Sequence, residues 1–191
     1  MKHKSKKEIV EWALIIGVIG IVYLGGWHSE VIGRMQQAML STGVIQPKVE
    51  ENGKQMSYSF TLEDLDGNQV DFETLKGEVI FINFWATWCP PCIAEMPDIH
   101  RLYESEKEEI KFVMISLDRD EKKAKAFIKK KNFEFPTYFL RSSLPNSYDT
   151  HAIPTTYILD REGNVHVENH GMAKYNTQKM KNLLSKLVEG E

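Results

Sequence analysis

Two regimes of apolar and polar positions divide the chain. Residues 12–29, from Trp12 to Ser29, carry no formal charge when His28 is neutral, and they are apolar on every side rather than along one stripe. As a helix rising about 1.5 Å per residue, the run reaches roughly 27 Å, against about 30 Å for a bilayer's hydrocarbon core. Trp12 stands near one end and Tyr23 and Trp27 near the other, where amphipathic rings favour the headgroup region. The pattern predicts one membrane span at 12–29. Lys2, Lys4, Lys6 and Lys7 precede it, so the positive-inside rule leaves a basic segment, 1–11, in the cytoplasm and sends the rest outward. A cleaved signal peptide and a buried helix of a soluble core compete with this reading. Against the first, no small-x-small cleavage site closely follows the run; against the second, the run is long and uniformly apolar. No cysteine follows it closely enough for lipid attachment. Residues 30–55 show no sustained apolar period beyond a short helix around 32–40 and are broken by Gly33, Gly43, Pro47 and Gly53, which predicts a tether.

From Ser57 the second regime begins. Tyr58, Phe60 and Leu62 alternate with polar residues, Asp66-Gly67-Asn68 is a turn signal, and Val70 and Phe72 resume the alternation, predicting a β-hairpin. Residues 79–86 are almost continuously apolar and rich in β-branched and aromatic side chains, as in a central strand covered on both faces. A helix is predicted from Pro91 toward Tyr103, with Ile93, Met96, Ile99 and Leu102 on one face and Pro97 as a kink. There follow a buried strand at 110–117, a lysine-rich helix at 121–131 with a solvated face, a short strand at 136–140 and a short helix within 142–150. A hairpin of strands at 155–159 and 165–168 turns at Asp160-Arg-Glu-Gly163, and a last helix covers 177–188. Helices alternate with strands and the final pair is antiparallel, so the class is α/β with a mixed sheet in a single domain, 56–191.

Composition narrows the partners. Of 191 residues 42% are hydrophobic and 27% charged, which fits a packed domain and excludes global disorder and a polytopic membrane protein. The net charge of −3 becomes −5 once residues 1–29 are set aside, leaving 20 basic against 25 acidic residues. A mildly acidic domain with no global excess of basic residues disfavours nucleic acid as a partner. Two cysteines, Cys89 and Cys92, allow neither a disulfide framework nor an all-cysteine zinc site.

Those two cysteines stand in Trp88-Cys89-Pro90-Pro91-Cys92, between a buried strand and a helix start. Helix N-terminal N–H groups and the dipole stabilise a thiolate at Cys89, making it the nucleophile. Cys92, one turn further in, is placed to attack a mixed disulfide at Cys89 and release a reduced substrate. Pro90 and Pro91 remove two donors and stiffen the loop, which tunes the redox potential. Trp88 is expected to line the substrate surface, and Trp85 to pack in the core.

The stretch from Asn83 to Pro97, Asn-Phe-Trp-Ala-Thr-Trp-Cys-Pro-Pro-Cys-Ile-Ala-Glu-Met-Pro, resembles the active-site segment of the thioredoxin superfamily, and most of all that of the TlpA-like and ResA-like membrane-anchored thiol-disulfide oxidoreductases. The resemblance covers about residues 56–189. It implies a thioredoxin-like fold, a mixed central sheet flanked by helices, with an N-terminal β-hairpin and a central insertion near 121–140. Ala152-Ile-Pro-Thr155 matches the superfamily's cis-proline loop, which implies that Pro154 packs beside Cys89 and that the Ile153 backbone pairs with an extended substrate; on sequence alone, a trans bond is the commoner state. Glu95 falls where the family carries an acid close to the cysteines, implying a proton acceptor or relay. A solvated acid suited to the helix dipole is the other reading of Glu95. Where ordinary thioredoxins have a buried aspartate, this chain has Asn83, which cannot relay a proton.

The resemblance implies an anchored, extracytoplasmic enzyme that reduces protein disulfides, as in cytochrome c maturation and cell redox homeostasis, with electrons from a membrane thiol carrier. It needs no cofactor beyond the redox-active Cys89–Cys92 disulfide, and no metal. Two alternatives stand beside it. A thiol peroxidase usually lacks this CxxC pair. A metallochaperone or binding module on the same scaffold typically spaces two cysteines by three residues and adds a histidine. His166 and His170 have an i, i+4 spacing but lie on a predicted strand and its end, 73 or more residues from Cys92. His100 and His151 read as ordinary residues of the surface or of the layer behind the site.

Overall fold

The computed structural model of the chain describes residues 6–24, 35–40, 42–43, 45–47 and 53–190. Helix α1, Lys6–Leu24, takes in positions 12–24 of the uncharged run, and positions 25–29 lie outside the described residues. Its first turns hold Lys6, Lys7, Glu8 and Glu11, and no helix among the described residues is long and apolar enough to cross a membrane. Residues 35–40 are helical; the rest of the short helix expected from 32 lies outside the described residues. Leu40 and Pro47 are buried, and the Ile45 carbonyl accepts from the Lys174 N–H at 2.9 Å, so this part of the expected tether rests on the domain.

The domain is built on a seven-stranded mixed sheet. Its strands are β1 (Thr61–Asp64), β2 (Gln69–Asp71), β3 (Val79–Trp85), β4 (Ile110–Ser116), β5 (Thr137–Leu140), β6 (Thr155–Leu159) and β7 (Val165–His170), in the order β2-β1-β5-β4-β3-β6-β7. β3, β4 and β5 run parallel through helical crossovers, while β1–β2 and β6–β7 are antiparallel hairpins at the two edges. The crossovers are α2 (Pro90–Glu106) and α3 (Glu121–Lys131), and α4 (Gln178–Glu189) closes the chain. α2 begins at Pro90 and runs through Pro97 to Glu106.

Every residue of β3 is buried, as its unbroken apolar run requires. Side chains alternate across the strand. Phe81 and Trp85 pack on the core made with α2, α3 and α4, through Met96, Ile99, Leu102, Ala124, Ile128 and Leu184. Ile80, Ile82 and Phe84 face the opposite core with Tyr58, Phe60, Phe72, Tyr148 and Tyr157. Asn83, between Phe81 and Trp85, therefore points toward α2.

The short helix expected within 142–150 does not form. Pro145 starts a turn that the Tyr148 N–H closes on its carbonyl at 3.0 Å. The Tyr148 ring inserts against Phe60, Phe84 and Tyr157, and its hydroxyl donates to the Ser57 carbonyl at 3.0 Å. One buried ring outweighs a helix that has no apolar period to bury. On α3 most lysines are exposed, as expected, but Lys125 donates to the Leu65 carbonyl at 2.7 Å, and Arg141 bridges Glu63 and Glu121, tying the helix start to the hairpin.

Candidate active site

The register of the sheet assembles the site. Phe84 pairs with Thr155, so the chain leaving β3 toward the cysteines passes the chain entering β6, where Pro154 stands. The Ile153–Pro154 bond is cis, as the resemblance implied. Cys89 Sγ lies 3.7 Å from the Ile153 carbonyl oxygen, so the cysteine and cis-proline loops touch.

Cys89 is the N-cap of α2, and the Cys92 N–H donates to its sulfur at 3.3 Å. Pro90 and Pro91 occupy the first two helical positions, where a missing N–H costs nothing because those groups have no partner within the helix. The two sulfurs form a disulfide. Cys89 is 4% exposed and Cys92 is fully enclosed, so only Cys89 presents any surface to a partner. Beside it Trp88 is 63% exposed, the position expected of a residue lining the substrate surface, whereas Trp85 is fully buried. A cavity of about 420 Å³ adjoins Trp88, with Thr87, Leu117 and Lys123 in its wall. The cavity of about 470 Å³ around Tyr58 and Glu162 lies at the far end of β6 and has no contact with this chemistry.

Glu95 is completely buried, which overturns the reading of a solvated acid. Its Oε1 accepts from Asn83 Nδ2 at 2.9 Å and its Oε2 from the Ala173 N–H at 3.0 Å. Burial pushes its pKa from an ordinary 4.5 up to about 8; the two hydrogen bonds hold it back and the nearby Asp98 adds to the rise. Asp98 is itself tied by the N–H groups of Tyr175 and Asn176, at 2.7 and 2.8 Å, and by Arg101. A carboxyl that exchanges its proton near neutral pH, three residues along the helix from Cys92, is placed for general acid–base work.

Several supporting residues carried no sequence signal that singled them out. Asp118, at the end of β4, accepts from the Thr87 N–H at 2.9 Å, from the Thr87 hydroxyl at 2.6 Å and from the Ser116 hydroxyl at 2.9 Å. It clamps the residue before Trp88. Thr155, just after Pro154, donates its hydroxyl proton to the Ala152 carbonyl at 2.7 Å; the 3.1 Å contact with His170 Nδ1 therefore has the histidine as donor. His166 pairs instead with Asp160 at 2.9 Å, so the two histidines are drawn to different partners. Among the described residues no cluster of three or more His, Cys, Asp or Glu is arranged to hold a metal ion. His100 accepts from the Glu134 N–H at 3.2 Å and packs on Phe133, while His151 is exposed.

Comparison with known proteins agrees with this geometry. The protein-family profile described as Redoxin matches residues 51–184. The thiol-disulfide oxidoreductase ResA of Bacillus cereus (strain ATCC 10987 / NRS 248) is 30% identical over 172 residues, covering 89% of this chain and 90% of that relative. ResA of a second Bacillus cereus strain is 33% identical over 109 residues, 56% of this chain, and the match spans 63% of the relative's length. Among solved structures, a thiol:disulfide interchange protein, thioredoxin family protein, from Chlorobium tepidum TLS superposes with a TM-score of 0.59 at 26% identity, over 71% of this chain and 99% of that one. The fold is thioredoxin-like.

Proposed function

Because the chain belongs to the redoxin family and is a thiol-disulfide oxidoreductase of the ResA type with a CxxC pair, we propose that it reduces protein disulfides outside the cytoplasmic membrane. In this reading the Cys89 thiolate attacks one sulfur of a substrate disulfide. The S–S bond breaks, the other substrate sulfur leaves as a thiolate and takes up a proton, and a mixed disulfide joins substrate to Cys89. Glu95 accepts the proton of Cys92, whose thiolate attacks Cys89 Sγ; the mixed disulfide breaks, and the second substrate sulfur leaves as a thiolate that takes up a proton in turn. Two electrons and two protons pass to the substrate, and Cys89–Cys92 becomes the disulfide seen here. The dithiol carries the electrons itself, without a cofactor. A membrane thiol carrier regenerates it by the same exchange run in the opposite sense.

The observation that carries the reading is the placement of Cys89 at a helix N-cap, its sulfur against the cis-proline loop and an exposed tryptophan beside it. An extended substrate backbone lies along Ile153 and Pro154, over Trp88, with Pro90 and Pro91 shaping the approach. Protein cysteines that must stay reduced for haem attachment, as in cytochrome c maturation, are the proposed substrates. Residues 12–29 serve as the lipid anchor, with the N-terminus inside; Trp12, Leu14, Ile16 and Val18 are each more than half exposed on α1, and exposed apolar clusters of this kind mark interaction surfaces. The full chain, reduced with dithiothreitol, is expected to reduce insulin disulfides at a rate that falls at least about a thousandfold when Cys89 is replaced by Ser, by analogy with loss of a catalytic nucleophile. Equal rates for the two proteins would refute the reading.

A further inference from the structure

Asn83 is a polar residue on β3, a strand buried along its whole length, between Phe81 and Trp85. An amide has two donor hydrogens and two acceptor lone pairs to satisfy. Its Nδ2 uses both hydrogens, donating to Glu95 Oε1 and to Thr156 Oγ1 at 2.9 Å each. Its Oδ1 is buried and has no hydrogen-bond partner among the described residues. Buried unmet acceptors destabilise a fold, and such departures from good packing concentrate at functional sites.

The two donated bonds join the parts of the site. Glu95 sits three residues beyond Cys92 on α2, and Thr156, which pairs with Asn83 across the sheet, sits two residues beyond Pro154 on β6. With Ala173 holding Oε2, the carboxyl is fixed at both oxygens and cannot turn away. Other ionisable groups near Glu95 are Asp98 on its own helix and the buried Tyr175, both of which remain in every variant below.

Resting on the function proposed above, we propose that Asn83 is the positioning residue for the exchange reaction: its amide fixes the Glu95 carboxyl and favours its charged form, so that it accepts a cysteine proton. A hydrogen bond donated to a carboxylate lowers its proton affinity. Removing it leaves Glu95 neutral over more of the range in which the thiols titrate. Less negative charge then opposes the thiolate, and the thiol curve moves to lower pH while proton transfer slows.

The experiment is a double-variant cycle read by pH-dependent alkylation of the reduced full chain. Asn83→Ala is expected to lower the apparent thiol pKa by about 0.5–1 unit, in the same direction as Glu95→Gln. The Asn83→Ala/Glu95→Gln protein should match Glu95→Gln alone, because Asn83 then has no carboxyl to act through. An Asn83→Ala curve that overlays the wild type, or two shifts that simply add, would overturn the proposal. Should Asn83→Ala fail to fold, the native oxidised protein supplies the readout. Its Asn83 side-chain ¹⁵N resonance should titrate together with the Glu95 carboxyl, and a flat resonance would overturn the proposal. Failure of the reductase reading is separate: it would appear as wild-type insulin turnover no faster than that of Cys89→Ser, whatever the Asn83 resonance does.

Discussion

A carboxyl group closed off from water binds its proton more tightly than it would in solution, and in Glu95 this burial outweighs the two N–H donors that favour the charged form, so that its pKa is raised from 4.5 to about 8. The consequence for stability has a definite sign. Between about pH 4.5 and 8 the unfolded chain has released the proton that the folded protein still holds, so the folded state loses stability as pH rises through this window. Below it both states are protonated, and above it both are ionised. Oxidised protein, whose cysteines do not titrate, is expected to have a lower urea midpoint at pH 8 than at pH 5 from this source, and Glu95→Gln is expected to show a shallower decline. Parallel declines in the two proteins would remove Glu95 as the cause. At the same scale, the chemistry of Cys89 follows from its place as an N-cap: the Cys92 N–H already points at its sulfur and favours negative charge there.

At the scale of elements, the site depends on how strand ends are held. Asp118 gathers three hydrogen bonds at the end of β4, two of them from Thr87, and so fixes the loop that presents Trp88 and Cys89. Asp118→Ala leaves the buried Ser116 hydroxyl and the half-buried Thr87 donors without this partner and is expected to cost about 1–3 kcal/mol in urea unfolding. It should also slow alkylation of Cys89 severalfold as the loop loses its fixed geometry; unchanged midpoint and rate would show that the clamp is dispensable. Periodicity in the sequence locates the strands and helices of the domain because each buries a face: α3 occupies the whole predicted range, and β3 and β4 end one residue short of it. The failure at 142–150 has the opposite cause, since that segment is ordered by one ring, Tyr148, and has no repeating face to read. The cysteine pair and Pro154 are legible because their motifs are contiguous. Asn83 reads only as a missing aspartate, and Asp118 and the Ala173 N–H not at all, because their roles arise from contacts between residues 12 to 78 positions apart.

The whole molecule joins an uncharged N-terminal run to a domain whose reactive end is formed by the cysteine and cis-proline loops. In the topology proposed above, the lysines of the first seven residues lie on the inner side and that reactive end lies outside the cytoplasmic membrane. Protease added to intact spheroplasts is expected to digest the domain, and full protection would reverse the topology. The order of the two sulfurs, with Cys89 attacking and Cys92 resolving, is read by trapping. Purified Cys92→Ser and Cys89→Ser proteins are each reduced, mixed with oxidised insulin and analysed by intact mass spectrometry under non-reducing conditions. A stable mixed disulfide, one insulin molecule linked through Cys89, is expected in Cys92→Ser and none in Cys89→Ser. Adducts that accumulate in Cys89→Ser and not in Cys92→Ser would contradict this order.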